Sequence, residues 1–130
     1  MYTTVNGHNT FCYTGGKPFS PAQPTVVLIH GVLNDHSVWA MQSRYLAHRG
    51  WNVLAVDLPG HCKSAGPAPT SVEEAADFIT ALLDAVGAPR AALVGHSWGS
   101  LIALEAAGRL GERISHLVLV GTAYPMKVSP

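Results

Sequence analysis

Short apolar runs that alternate with stretches of helical periodicity constrain this chain more than any other feature. Thr25 to Ile29 is an unbroken, largely β-branched run, the pattern of a strand covered on both faces. Trp51 to Val56, Ala91 to Val94 and Ile114 to Val120 repeat it. Residues 36–49 read as a helix capped by Asp35 and closed by Gly50, with Val38, Met41 and Tyr45 on one face. Residues 72–86 carry the clearest helical stripe: Val72, Ala75, Ala76, Ile79, Leu82, Leu83 and Val86. Ser71 with Glu74 opens that helix as a capping box, and Gly87 with Pro89 stops it. An Ala-rich helix spans 101–110 and ends at Gly111. Strand and helix taking turns in this way predict an α/β fold with a mostly parallel sheet and right-handed crossovers. Ahead of it, Thr3–Val5 and Thr10–Tyr13 flank Asn6-Gly7, a type I′ turn signal, and predict an antiparallel hairpin.

Composition narrows the function classes. The 130 residues are 48% hydrophobic and only 12% charged, against about 25% charged in an ordinary soluble domain. That balance suits a sheet buried on both faces. Eight basic residues offset eight acidic ones, so the electropositive footprint of a nucleic-acid binder is missing. No apolar stretch approaches the ~20 residues needed to cross a bilayer. The segment MYTTVNGHNT lacks the basic and apolar regions of a secretory signal. Cys12 and Cys62 make no disulfide framework, and the expected setting is reducing and cytoplasmic.

The chemistry concentrates at Gly95-His96-Ser97-Trp98-Gly99, a G-x-S-x-G run between a strand and a helix. A serine on so tight a turn adopts a strained backbone, and glycines on either side let the flanking segments close without Cβ clashes. The turn lifts the hydroxyl above the sheet edge, and the following helix aims its free N–H groups at it. His30-Gly31 ends the first buried strand. Gly31 allows that loop to approach Ser97, so that the N–H of Val32 and of Trp98 form an oxyanion hole; alternatively His30 packs against the loop and Gly31 is a turn. Expected substrate contacts are His30, Gly31, Trp98 and Tyr124. His96 points away from the serine hydroxyl and packs locally, and Asp57 holds its own turn. Phosphate loops, dinucleotide fingerprints and zincin motifs are absent, and the seven histidines show no ligand spacing, so neither cofactor nor metal is expected.

In order and spacing, the hairpin VNGHNTFCYTGG, the run VVLIHG, DLPGH at 57–61, GHSWG and HLVLVGTAYP resemble the α/β-hydrolase superfamily, in particular its lid-bearing esterase, lipase and haloperoxidase-like branch. The resemblance covers nearly the whole chain, although Cys62 stands where the Asp-Leu-Pro-Gly-His-Gly run has its final glycine. It implies that Ser97 is the nucleophile and that the triad's acid and histidine follow in that order. Neither is found after Ser97 here, so both are expected beyond residue 130. Residues 1–130 then read as the N-terminal portion of a single α/β-hydrolase domain, truncated after the sixth core strand. The expected function is a serine hydrolase acting on a carboxylic ester or similar acyl substrate. C–C hydrolase, amidase and cofactor-free haloperoxidase subclasses remain open, whereas an Asp-nucleophile dehalogenase or epoxide hydrolase is disfavoured by Ser97. The rival readings are a catalytically incompetent fragment and a non-hydrolytic binding member of the fold. The expected partners are the acyl substrate and the rest of the domain, otherwise a second copy through the strand at 114–120.

Overall fold

A computed structural model describes residues 1–121. The chain folds into a six-stranded mixed sheet with helices on both faces. Strands β1 (Tyr2–Val5) and β2 (His8–Tyr13) form the antiparallel hairpin. Asn6 and Gly7 both take positive φ, 51° and 80°, as a type I′ turn requires. Strand β3 (Thr25–Ile29) is buried along its whole length. A 3₁₀ turn, His36–Trp39, leads into α1 (Ala40–His48), and β4 (Asn52–Val56) follows. Then come α2 (Val72–Val86), β5 (Ala91–His96), α3 (Trp98–Leu110) and β6 (Ile114–Val120).

The strand order is β1-β2-β4-β3-β5-β6, antiparallel through β2 and parallel from β4 to β6. The mixed sheet with its antiparallel hairpin is the architecture the strand and helix pattern predicts. One core lies between the sheet and the α2/α3 layer, where Ile79, Leu82, Leu83, Leu93 and Ile102 are fully buried. Burying each of these stabilises the fold by about 2 kcal/mol. A smaller core on the opposite face joins Val26, Leu28, Val53 and Ala55 to Trp39 and Ala47.

All three helices differ in detail from the sequence reading; α3 begins at Trp98, ahead of the expected 101–110. The helix predicted over 36–49 begins as a 3₁₀ turn, capped by Asp35 accepting the Ser37 N–H at 2.8 Å. Its apolar face of Val38, Met41 and Tyr45 points to solvent, while Trp39, Ser43 and Ala47 are buried. Docking decides this: the Gly15 loop (φ 73°) sits on the helix so closely that a Cβ there would come 2.7 Å from the Ala47 Cβ. Only the small-residue face of α1 can accept that approach. At α2, the Ser71 hydroxyl accepts the Glu74 N–H at 3.1 Å as expected. The Glu74 carboxylate, however, accepts from the Thr70 N–H and hydroxyl, at 2.7 and 2.9 Å, rather than from Ser71.

Candidate functional site

Strands β3 and β5 are parallel neighbours with Ile29 opposite Gly95, so the loops leaving them emerge side by side at one sheet edge. From β3 the chain turns to β4 on one flank and returns through α2 to β5 on the other. Such a switch point opens the crevice in which α/β sheets place their ligands.

Ser97 stands at that crevice as the N-cap of α3, with φ 58° and ψ −123°. This is a sparsely populated conformation for a residue with a Cβ, and it persists only where the surroundings over-determine it. Its N–H donates to the Val120 carbonyl at 2.9 Å, and its own carbonyl accepts from the Ser100 N–H and hydroxyl at 2.9 and 2.5 Å. The backbone is thus held on both sides, and among the described residues no hydrogen bond engages the Ser97 hydroxyl. Residue 97 carries the positive φ, while Gly31, Gly95 and Gly99 do not. Those glycines are needed for space. A Cβ on Gly95 would lie 2.6 Å from the Gly99 carbonyl carbon and from Ser100 Cα. One on Gly99 would lie 2.6 Å from the His30 carbonyl oxygen, and one on Gly31 would lie 3.2 Å from the Ser97 Cβ.

The expected substrate contact at His30 needs correction. Its side chain is fully buried. Nδ1 lies 2.7 Å from the Gly31 carbonyl, which can only accept, so that nitrogen carries the proton. Nε2 accepts the Leu58 N–H at 3.0 Å. Both ring nitrogens are consumed inside the protein, and burial above all holds the imidazole below its ordinary pKa and neutral. His30 is a strut between the loops after β3 and β4, with no ring atom to offer a ligand. Gly31 lies against Ser97, and Val32 follows it in a turn closed by the Asn34 N–H on the Gly31 carbonyl at 3.2 Å. Trp98 opens α3 with its side chain half-buried against the main core. Tyr124 lies outside the described residues.

His96 turns away from this edge, its ring edge-on to Trp39 at 6.2 Å. Asp57 is fully buried and accepts three hydrogen bonds: from the His36 N–H and Nδ1 at 2.7 and 2.9 Å, and from the Lys63 N–H at 3.1 Å. It locks the turn after β4. Burial pushes the Cys12 thiol up to about 12, so it is no nucleophile. A cavity of about 380 Å³ opens between the hairpin and the start of α2, lined by His8, Pro59, Pro67, Thr70 and Phe78 among others. None of its lining residues belongs to the Ser97 turn or to His30–Val32.

Spacing along the sequence did not reveal one further cluster. One donor atom each from Asp35, His36, Asp57 and Cys62 all lie within 4.8 Å of one another. The pairs come from different loops, and the parallel register of Ile29 with Val56 is what brings those loops together.

Strand order, switch-point serine turn and close-packed glycines together define an α/β-hydrolase architecture. The chain belongs to the alpha/beta hydrolase fold family, whose sequence model matches residues 24–130. It is 34% identical over 110 residues to the dihydrolipoyllysine-residue acetyltransferase component of the acetoin cleaving system of Pseudomonas putida, an alignment covering 84% of this chain and 28% of that protein. It is 38% identical over 90 residues to epoxide hydrolase A of Mycobacterium tuberculosis, covering 66% of this chain and 28% of that protein. A crystal structure of a membrane phospholipase A superposes with a TM-score of 0.83 at 32% identity, over 92% of this chain and 38% of the other. The chain therefore spans well under half the length of the relatives it matches. Among the described residues, no helix is long and apolar enough to cross a membrane.

Proposed function

We propose that Ser97 is the nucleophile of a serine hydrolase that acts on a carboxylic ester or similar acyl substrate. The observation that carries this reading is the Ser97 backbone, held at φ 58° and ψ −123° at the start of α3 with an unengaged hydroxyl. Strain of this kind is retained where a side chain must be presented to a reacting partner. In the reaction, Ser97 Oγ attacks the acyl carbon while a histidine supplied by the rest of the domain takes its proton. The N–H groups of Val32 and Trp98 stabilise the oxyanion, each by a few kcal/mol in the transition state. The alcohol leaves with the proton, and water then releases the acid and frees Ser97. Gly31 borders the space between nucleophile and oxyanion donors, and Trp98 and Tyr124 are the remaining substrate contacts of this reading. An alkyl-enzyme route would need a carboxylate at position 97, which weighs against epoxide hydrolysis. A reducing, cytoplasmic setting belongs to the same reading, supported by the free thiols of Cys12 and Cys62.

The second reading is a non-hydrolytic binding member of the fold, or a catalytically incompetent fragment. Treatment of the full-length protein with a fluorophosphonate probe followed by peptide mass spectrometry separates the two. The hydrolase reading expects one label, on Ser97, and loss of both label and p-nitrophenyl ester turnover in Ser97→Ala. Turnover that survives Ser97→Ala, or a label elsewhere, would overturn it.

A further inference from the structure

We propose that Asp35, His36, Asp57 and Cys62 form a site for a zinc-like divalent cation that staples the loop after β3 to the loop after β4. Two carboxylates, an imidazole and a thiol are the donor set of a four-coordinate zinc site, and their donor atoms already lie within 4.8 Å of one another. Bonds of about 2.0–2.3 Å around a tetrahedral ion place ligands some 3.3–3.8 Å apart. The His36 Nδ1 and Asp57 Oδ1, at 2.9 Å, are close to such an edge. Asp35, whose Oδ1 also accepts the Ser37 N–H, and the exposed Cys62 supply the remaining two ligands.

Three features prepare the base of the site. The Asp57 carboxylate is fully buried and oriented by the N–H groups of His36 and Lys63, the arrangement that fixes metal-binding carboxylates. The His36 ring is held edge-on to Phe11 at 4.9 Å, with Tyr13 at 6.1 Å. A shift of its proton from Nδ1 to Nε2 frees the inner lone pair for a cation. Among the described residues, no lysine or arginine forms an ion pair with Asp35 or Asp57. Lys63, adjacent to Cys62, instead sets its ammonium 4.8 Å from the Phe11 ring centroid. Two acidic groups therefore face His36 without a fixed cationic partner.

The rim is open. Cys62 is exposed, which gives an ion its way in, and it holds a positive φ of 45° at a position where glycine would be unstrained. Bound there, the ion would also brace Gly31 and Val32, which lie on the same loop as Asp35 and His36.

Co²⁺ serves as the probe, because thiolate coordination gives a near-ultraviolet charge-transfer band. Titration is expected to saturate at one Co²⁺ per chain, with the band displaced by Zn²⁺. Cys62→Gly relieves the backbone rather than threatening the fold; it is expected to remove the band and weaken Co²⁺ binding at least tenfold. Zn²⁺ at a hundredfold excess over its Kd should raise the Tm by roughly 5–10 °C in the parent and not in Cys62→Gly. Absence of the band at saturating Co²⁺, or equal binding by parent and Cys62→Gly, overturns the proposal and leaves His36 and Asp57 as a hydrogen-bonded clamp only. These readouts follow the cation and not turnover, so they stand apart from the role of Ser97.

Discussion

Gly99 and His30 approach so closely that a Cβ on the glycine would stand 2.6 Å from the His30 carbonyl oxygen. The start of α3 is thus packed backbone against backbone onto the end of β3, and neither side can yield by a change of rotamer. Gly99→Ala and Gly95→Ala are each expected to cost about 3 kcal/mol or more, the upper end of overpacking penalties. Gly31→Ala meets only the Ser97 Cβ at 3.2 Å and the Asn34 Nδ2 at 3.4 Å. It should cost about 1 kcal/mol yet slow fluorophosphonate labelling of Ser97 by about tenfold or more. Urea denaturation set beside labelling rates checks the contrast; equal stability losses at all three positions would refute it.

Ser97→Gly should stabilise the fold. Glycine takes a positive φ without steric cost, so the strain at φ 58° is released, by about 1–2 kcal/mol. Ser97→Ala keeps the Cβ and the strain and should leave stability within about 0.5 kcal/mol. Both should lose labelling. Chemical denaturation midpoints for the three proteins decide the matter, and a less stable Ser97→Gly would contradict the assignment of strain to this residue.

His30 should make stability fall on the acid side. Burial holds its folded pKa below the ordinary imidazole value of about 6.5, against the Gly31 carbonyl, which favours the charged form, as do Asp57 and Asp35, while His61 opposes it. The unfolded state therefore binds the proton first, and stability rises with pH through this window. The contribution is complete above about pH 6.5 and is lost progressively as pH falls below it. His30→Ala should cost about 3 kcal/mol at neutral pH, because a buried ring is removed, the Leu58 N–H loses its acceptor and the Gly31 carbonyl keeps only the Asn34 N–H. It should also flatten the profile on the acid side of about pH 6.5, as followed by thermal melts.

Strand β6 presents Leu117, Val118, Leu119 and Val120, each at least 37% exposed, and among the described residues β5 is its one strand partner. The 130-residue chain expressed alone is expected to self-associate through this edge. Val118→Lys should shift the population toward monomer in sedimentation velocity without lowering the Tm by more than a few degrees. A parent chain that is monomeric at micromolar concentration would count against an adhesive edge.

Local signals made most of the fold legible. Asn6-Gly7, the stripe from Val72 to Val86 and Gly87 each specify their element from a few neighbouring residues, and the structure follows them. The serine turn was legible for the same reason, since Gly95 and Gly99 stand beside the residue they make room for. Contacts between separate loops were not. The orientation of α1 is decided by Gly15, some thirty residues away, which overrides the apolar face of Val38, Met41 and Tyr45. The strut at His30 and the grouping of His36 with Asp57 and Cys62 depend on two strands lying in parallel register, which no spacing along the chain encodes.

The loop from His30 to His36 touches Ser97 at its first turn, through Gly31, and the Asp57 carboxylate at its last. It is shaped as a lever whose far arm, at the half-buried His36, rests on the buried Asp57 carboxylate and whose near arm borders the serine. Exchanges at positions 36 and 62 therefore offer a tuning screw for laboratory evolution. They would reset the near arm while leaving the tightly packed Gly95 and Gly99 as they are.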